Sequence, residues 1–304
     1  MNLRIFLSFV FFLVVIILLG LYWIVPFNDI NFGFKERNYN FSLNASDKGM
    51  QFHPNMRFPT LNISYRVDNC PLGKQEDMER AFGIIANKTS LNFYQVVSNE
   101  EISVTCDSKN KREGELFIAG EGGPTNVTMT SNFNVIKGGQ ILLIRESQCA
   151  SPNVGIHELF HVLGFDHSPN PNNIMYNFSS CNQEISQDMI DTINNLYSTP
   201  SYIDLFIENA SAVMHGKYLD ANITVMNEGL ADSKNSTMEI YADGKLIKEL
   251  DIEELKIGYG TKITLKNILV LQIKTSELKF IVSSDEAELS KENNGINLNI
   301  KNKN

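Results

Sequence analysis

His157-Glu158-Leu159-Phe160-His161-Val162-Leu163-Gly164-Phe165-Asp166-His167 is the stretch that decides how this chain is read. The chain has five histidines, and three of them fall in this window. His157 and His161 are four residues apart, so on a helix they lie one turn apart on one face. Two imidazoles at that spacing can bind one metal ion. Glu158, beside the first, can reach a water on that metal without itself being a ligand. Gly164 is the natural stop, because glycine takes the left-handed turn that ends a helix without a side-chain penalty. The chain can then double back and bring in His167. Three neutral nitrogens and one open position describe a catalytic zinc site rather than a structural one.

The window reads H-E-x-x-H-x-x-G-x-x-H and so resembles the metzincin metalloproteases. That family carries a Met-turn downstream, and Asn173-Ile174-Met175-Tyr176 supplies one, with Met175 eight residues past His167. Ser168 and the Met-Tyr pair resemble the matrixin branch most closely. The resemblance covers about residues 57–199. It implies His157, His161 and His167 as ligands of one zinc ion and Glu158 as the base. It also implies Gly164 and Met175 as structural support, and a protein or peptide substrate held by strand addition at a sheet edge. Some metzincins use a tyrosine two residues after the methionine. Here that position is Asn177, so the role is not carried onto Tyr176. Phe160 also departs from the pattern, standing where matrixins usually carry glycine. Outside the triad only His53 and His215 remain, too few for the family's second, structural zinc. Calcium sites built from Asp, Glu and carbonyls stay open, without a location.

The whole chain sets the frame. Its 304 residues leave room for two domains, and 43% hydrophobic content with a net charge of −9 fits ordinary globular domains. Nothing in that balance points to nucleic acid. From Ile5 to Val25 there is no charged residue. About 20 apolar residues span a bilayer, and Tyr22 and Trp23 stand where aromatics favour the interface. Residues 1–26 therefore read as a membrane anchor with a cytoplasmic N-terminus. The competing reading, a cleaved signal peptide and a secreted enzyme, lacks small residues at a cut site.

The rest of the chain is then expected outside the cell. Cys70, Cys106, Cys149 and Cys181 are an even set that can pair in an oxidising compartment. Three pairings are open. Cys70–Cys106 with Cys149–Cys181 is favoured, since each closes a loop within one half of the domain. A four-cysteine zinc site fits less well without close C-x-x-C spacing. Nine N-x-S/T sequons, at Asn40, Asn44, Asn62, Asn87, Asn126, Asn177, Asn209, Asn222 and Asn235, all lie beyond the anchor, as a glycoprotein requires.

Residues 27–56 show no clear periodicity and read as a stalk. They are too short for a matrixin pro-domain and hold no cysteine to cap the zinc. Leu61-Asn62-Ile63-Ser64-Tyr65-Arg66-Val67 alternates as a half-buried strand, and Met78, Ala81, Phe82 and Ile85 make a helical stripe. Strands are expected from Phe93 to Val97 and from Ile102 to Cys106. The order strand, long helix, strand, strand resembles the first half of a matrixin domain. Lys109 to Glu115 and the glycine-rich Gly120 to Pro124 read as loops. Residues 126–135 should hold the edge strand above the cleft, and Gln140 to Ile144 a buried strand. Ser151 and Pro152 should open the active-site helix, and Ser186 should cap a last helix that Pro200 stops.

From Tyr202 the texture is all-β. Leu219, Ala221, Ile223 and Val225 alternate, Asn227-Glu228-Gly229 turns, and Asp243-Gly244 is a two-residue hairpin signal. The ending from Asp285 to Ile300 resembles the immunoglobulin-like CARDB module of microbial surface proteins. It implies contact with substrate or surface, or a spacer. The expected fold class is α+β. A membrane anchor (1–26) and stalk (27–56) lead to a metzincin catalytic domain (57–199) and then a β-sandwich (202–304). The expected function is a membrane-anchored extracellular zinc endopeptidase. The alternatives are an adhesion or envelope protein with a relic protease domain, and a zinc-dependent binding module.

Overall fold

A computed structural model describes residues 3–24, 27–36, 50–107, 112–113, 116–145, 149–272 and 275–300. The chain opens with helix α1 (Leu3–Ile24), 22 residues long. Among the described residues no helix is long and apolar enough to cross a membrane. The structure therefore does not support the bilayer span expected over residues 1–26.

The stalk reading of residues 27–56 is corrected. Asp29–Glu36 is a strand, β1. It pairs antiparallel along its whole length with a strand near the other end of the chain, Asp29 opposite Lys266 and Glu36 opposite Tyr259. Ile30, Phe32 and Phe34 alternate with polar or small residues, and Ile30 packs on the sandwich core. Farther along, Gln51 bridges to Phe165, and Met56–Arg57 forms β2. Residues 37–49 lie outside the described residues.

The first domain is one mixed sheet with helices against it. β3 (Asn62–Asp68), α2 (Leu72–Lys88), β4 (Asn92–Gln95) and β5 (Ile102–Cys106) follow in order. Met78, Ala81, Phe82 and Ile85 are the buried stripe of α2. β6 (Arg112–Glu113) lies within the stretch read as loop and pairs with β7 (Leu116–Phe117) just beyond it. Then come β8 (Gly120–Met129) and β9 (Asn134–Leu143). β9 is central, parallel to β2 and β5 and antiparallel to β8. The Gly120 to Pro124 loop is thus the first half of β8. The edge strand begins earlier than residue 126, and the turn falls at 130–133.

Helix α3 (Asn153–Val162) lies across this sheet, and α4 (Gln187–Ser198) closes the domain. Pro152, not Ser151, stands at the cap position of α3. Ser186 occupies the cap position of α4, and its side chain makes no cap hydrogen bond there. The core joins Met78, Ile85, Val104, Ile141, Leu159, Phe160, Leu163 and Ile193. Phe160 is fully buried edge-on against Phe165, ring centres 5.3 Å apart. The bulky ring at the expected glycine position therefore fills the core beneath the helix. Disulfides join Cys70 to Cys106 and Cys149 to Cys181.

The second domain is a sandwich of two four-stranded sheets. β10 (Leu205–His215), β11 (Tyr218–Asn227) and β14 (Tyr259–Leu269) form one sheet, with β1 added at its edge. β12 (Ser236–Ala242), β13 (Lys245–Ile252), β15 (Glu277–Ser283) and β16 (Gly295–Asn299) form the other. Asp243 and Gly244 both have positive φ, 45° and 78°, as a tight hairpin between β12 and β13 needs. Ile223, Val225, Ile240, Ile263, Phe280 and Val282 fill the space between the sheets.

Candidate metal centre

His157 and His161 face one way from α3 because four residues make about one helical turn. Their Nδ1 atoms are spoken for by backbone carbonyls. His157 Nδ1 lies 2.7 Å from the Ile174 oxygen, and His161 Nδ1 lies 2.8 Å from the Phe165 oxygen. As donors there, both rings are held in the tautomer that leaves Nε2 with a free lone pair. The three Nε2 atoms converge, with His161 Nε2 3.0 Å from that of His157 and 3.2 Å from that of His167. These atoms form a cluster that could hold a metal ion. Burial lowers all three imidazole pKa values. His161, squeezed further by His157, is pushed down to about 3. Neutral imidazoles with aligned lone pairs are what a soft-to-borderline cation requires. The residues therefore fit zinc.

The turn that returns His167 has a built support. Gly164 takes φ +92°, and a Cβ there would sit 2.6 Å from the Met56 Cβ. Residues 50–52 then pair with the returning chain. Phe52 N–H donates to the Gly164 oxygen, and Asp166 N–H donates to the Met50 oxygen, each at 2.9 Å. The Phe52 ring stacks on His161 at 5.7 Å. The sequence reading had assigned these residues to the stalk and missed them.

Met175 is buried in its turn, and Ser168 N–H donates to its carbonyl at 2.8 Å. Asn173 organises the turn. Its Oδ1 accepts from Met175 N–H, and its Nδ2 donates to Ser186 Oγ. The hydroxyl expected to cap α4 therefore holds the Met-turn instead.

Glu158 is buried beside the triad, 5% exposed. Burial, and then the charge of Glu121, push its carboxyl up to about 8. The glycines of β8 make room for it. A Cβ on Gly120 would stand 2.8 Å from Glu158 Oε1, and one on Gly122 would stand 2.5 Å from the Glu158 carbonyl oxygen. The two sites predict different outcomes. Gly122→Ala collides with helix backbone and should cost about 1–3 kcal/mol of stability, read by melting. Gly120→Ala meets only a side-chain end. It should leave melting nearly unchanged but displace Glu158, lowering kcat/KM on the order of 10²-fold.

His53 and His215 stand apart from the triad. His215 Nε2 lies 3.8 Å from Asp220 on the sandwich. Two histidines and a glutamate on one helix, with a third histidine returned by the following turn, define a metalloprotease-type domain of the metzincin kind. Residues 57–198 match the family model for Matrixin, and residues 202–303 match that for CARDB. The chain thus carries a matrixin domain followed by a CARDB module.

Matrixins are zinc-dependent. Among solved structures, the CARDB domain of a Pyrococcus furiosus protein in complex with di-metal ions is 17% identical. That likeness covers 33% of this chain and 90% of that one, with a TM-score of 0.28. A domain of a putative cell surface protein from Methanosarcina acetivorans is 16% identical. It covers 33% of this chain and 94% of that one, with a TM-score of 0.29. No curated protein matches the chain.

Proposed function

We propose that this protein is a zinc endopeptidase that cleaves extended polypeptide on the outer side of a membrane. The observation that carries the reading is the convergence of three Nε2 atoms beside a buried glutamate. In this reading His157, His161 and His167 hold the ion. Zinc, when bound there, supplies Lewis-acid polarisation and lowers the pKa of water to about 7. Glu158 takes the proton from the attacking water and delivers it to the leaving amine. Among the described residues β8 pairs with β9 alone, so its other edge can offer backbone groups to an extended substrate.

The site is tested by metal removal. Purified wild-type protein should hold one zinc per chain and cleave unfolded protein. A chelator should abolish cleavage, and added zinc should restore it. His161→Ala should hold no zinc, because two imidazoles bind it far more weakly than three. A folded wild-type chain that takes up no zinc would sink the reading.

For location, the support lies in residues 5–25 and in the chemistry beyond them. α1 at 22 residues is about 33 Å long, against a hydrocarbon core of about 30 Å. The helix carries no charged residue beyond Arg4. Two disulfides suit an oxidising compartment. Seven sequon asparagines are exposed, while Asn40 and Asn44 lie outside the described residues. Alkaline extraction of membranes decides the matter: an anchored enzyme stays in the pellet, and a secreted one appears in the medium.

A further inference from the structure

The turn of the β8–β9 hairpin exposes Ser131 and Asn132, but it is not free. It is gripped by the sandwich. Val135 from β9 is buried with Leu230 and Ile257 from the sandwich, and Phe133 and Leu289 pack around them. Ser131 N–H, in the turn, donates to the Glu228 carboxylate, which is itself buried. Gly258, at φ +76°, comes so close to Thr128 of β8 that a Cβ would fall 2.3 Å from its methyl carbon. Lys137 of β9 reaches the Ile257 oxygen at 3.4 Å and lies 5.7 Å from the centre of the Tyr259 ring.

The sandwich side of this grip is rigid by construction. Asn227 is fully buried. Its Nδ2 donates to the Ala231 and Leu255 oxygens, both at 2.8 Å. Its Oδ1 accepts from Asp204 N–H at 3.2 Å and from Gly229 N–H at 3.1 Å. Its carbonyl accepts from Gly258 N–H at 2.8 Å. Asn227, by its side-chain amide and its backbone carbonyl together, therefore ties both loops that touch the hairpin, 227–230 and 257–259. Gly229 completes the fit, since a Cβ there would meet the Asp204 nitrogen at 2.4 Å. A buried amide with every bond made is costly to disturb.

We infer that the C-terminal sandwich is a brace for the substrate-binding edge of the protease domain, acting through Glu228, Leu230, Ile257 and Gly258 on the hairpin tip. This rests on the peptidase reading of the site. The hairpin carries at one end the glycines that seat Glu158, and at the other the residues held by the sandwich. An edge strand recruits an extended peptide well only when its own backbone is already fixed, because ordering it on binding subtracts from affinity. The four named residues are positioning residues. None touches the reacting atoms.

The test uses the full chain, as wild type and as the double variant Leu230→Ala/Ile257→Ala. Glu228→Gln is the milder probe. Val282→Ala, in the sandwich core away from the hairpin, controls for general loosening of that domain. Amide hydrogen exchange over 126–135 should quicken about tenfold or more in the double variant, with β11 and β14 still protected. KM for a long peptide should rise about tenfold, with kcat within about twofold and zinc content unchanged. Glu228→Gln should show the same pattern at smaller amplitude, and Val282→Ala should not.

Unchanged exchange over 126–135 in a folded double variant would overturn the brace. So would a fall in kcat at constant KM. If wild type cleaves nothing, the exchange measurement still decides the brace, and the peptidase reading fails separately.

Discussion

Glu158→Gln is expected to lower kcat/KM by about three orders of magnitude while zinc stays at the wild-type level. The amide has nearly the shape of the carboxyl, so it still fits over Gly120 and Gly122. It cannot accept a proton, and it removes no metal ligand. Cleavage that survives the change would assign the base elsewhere, and loss of zinc would make Glu158 a structural partner of the ion.

The same swap carries a stability prediction with a definite sign. The folded carboxyl is pushed up to about 8 from an ordinary value of 4.5. A raised carboxyl pKa costs the fold nothing below about pH 4.5 and an increasing amount as pH climbs toward 8. Metal-free Glu158→Gln should therefore melt higher than metal-free wild type at pH 8, with the gap closing at pH 5. Equal gaps at both pH values would contradict the buried, charge-penalised setting of this group.

Much of the site was legible because its determinants are local. His157 and His161 are joined by helical periodicity, and Gly164 by a backbone angle that favours glycine. What escaped was non-local or ran against propensity. β1 meets its partner more than two hundred residues away, Asp29 against Lys266, and its alternation is short. The glycines of β8 read as loop, since glycine weakens strands. They are there because α3 presses on that strand. Phe52 stacks on His161 through a pairing with 164–166 that no periodicity announces. Ser186 and Asn173 each looked like ordinary turn chemistry until the fold set them 2.9 Å apart.

Arg57 is the clearest case of a residue whose place the sequence does not announce. An arginine in an unpatterned segment defaults to the surface, yet Arg57 is 1% exposed. Its guanidinium donates to the Leu196 oxygen, to the Thr199 oxygen at 2.9 Å and to Pro59 at 3.2 Å, while Nε donates to Phe58 at 3.0 Å. It lies 4.3 Å from the Tyr197 ring centre and 5.9 Å from that of Phe133. Burial lowers its pKa, but an arginine has far to fall before it loses charge.

The arrangement has an electrostatic logic. α4 has no basic residue in its last turn, and Arg57 brings a cation to its C-terminal carbonyls from a distant part of the chain. Arg57→Met keeps the apolar stem and removes the donors, leaving those carbonyls dry. The loss should be about 3 kcal/mol or more, lowering the melting temperature by roughly 10 °C. Arg57→Lys should fall between, since three donors on a point cannot fan out to four carbonyls. Scanning calorimetry on the three proteins measures this. A Met variant melting within about 2 °C of wild type would mean that water fills in for the guanidinium. Because Phe133 belongs to the hairpin tip, a real loss should also quicken amide exchange over 126–135. Arg57 would then join α4, the interdomain linker and the substrate edge in one packed unit.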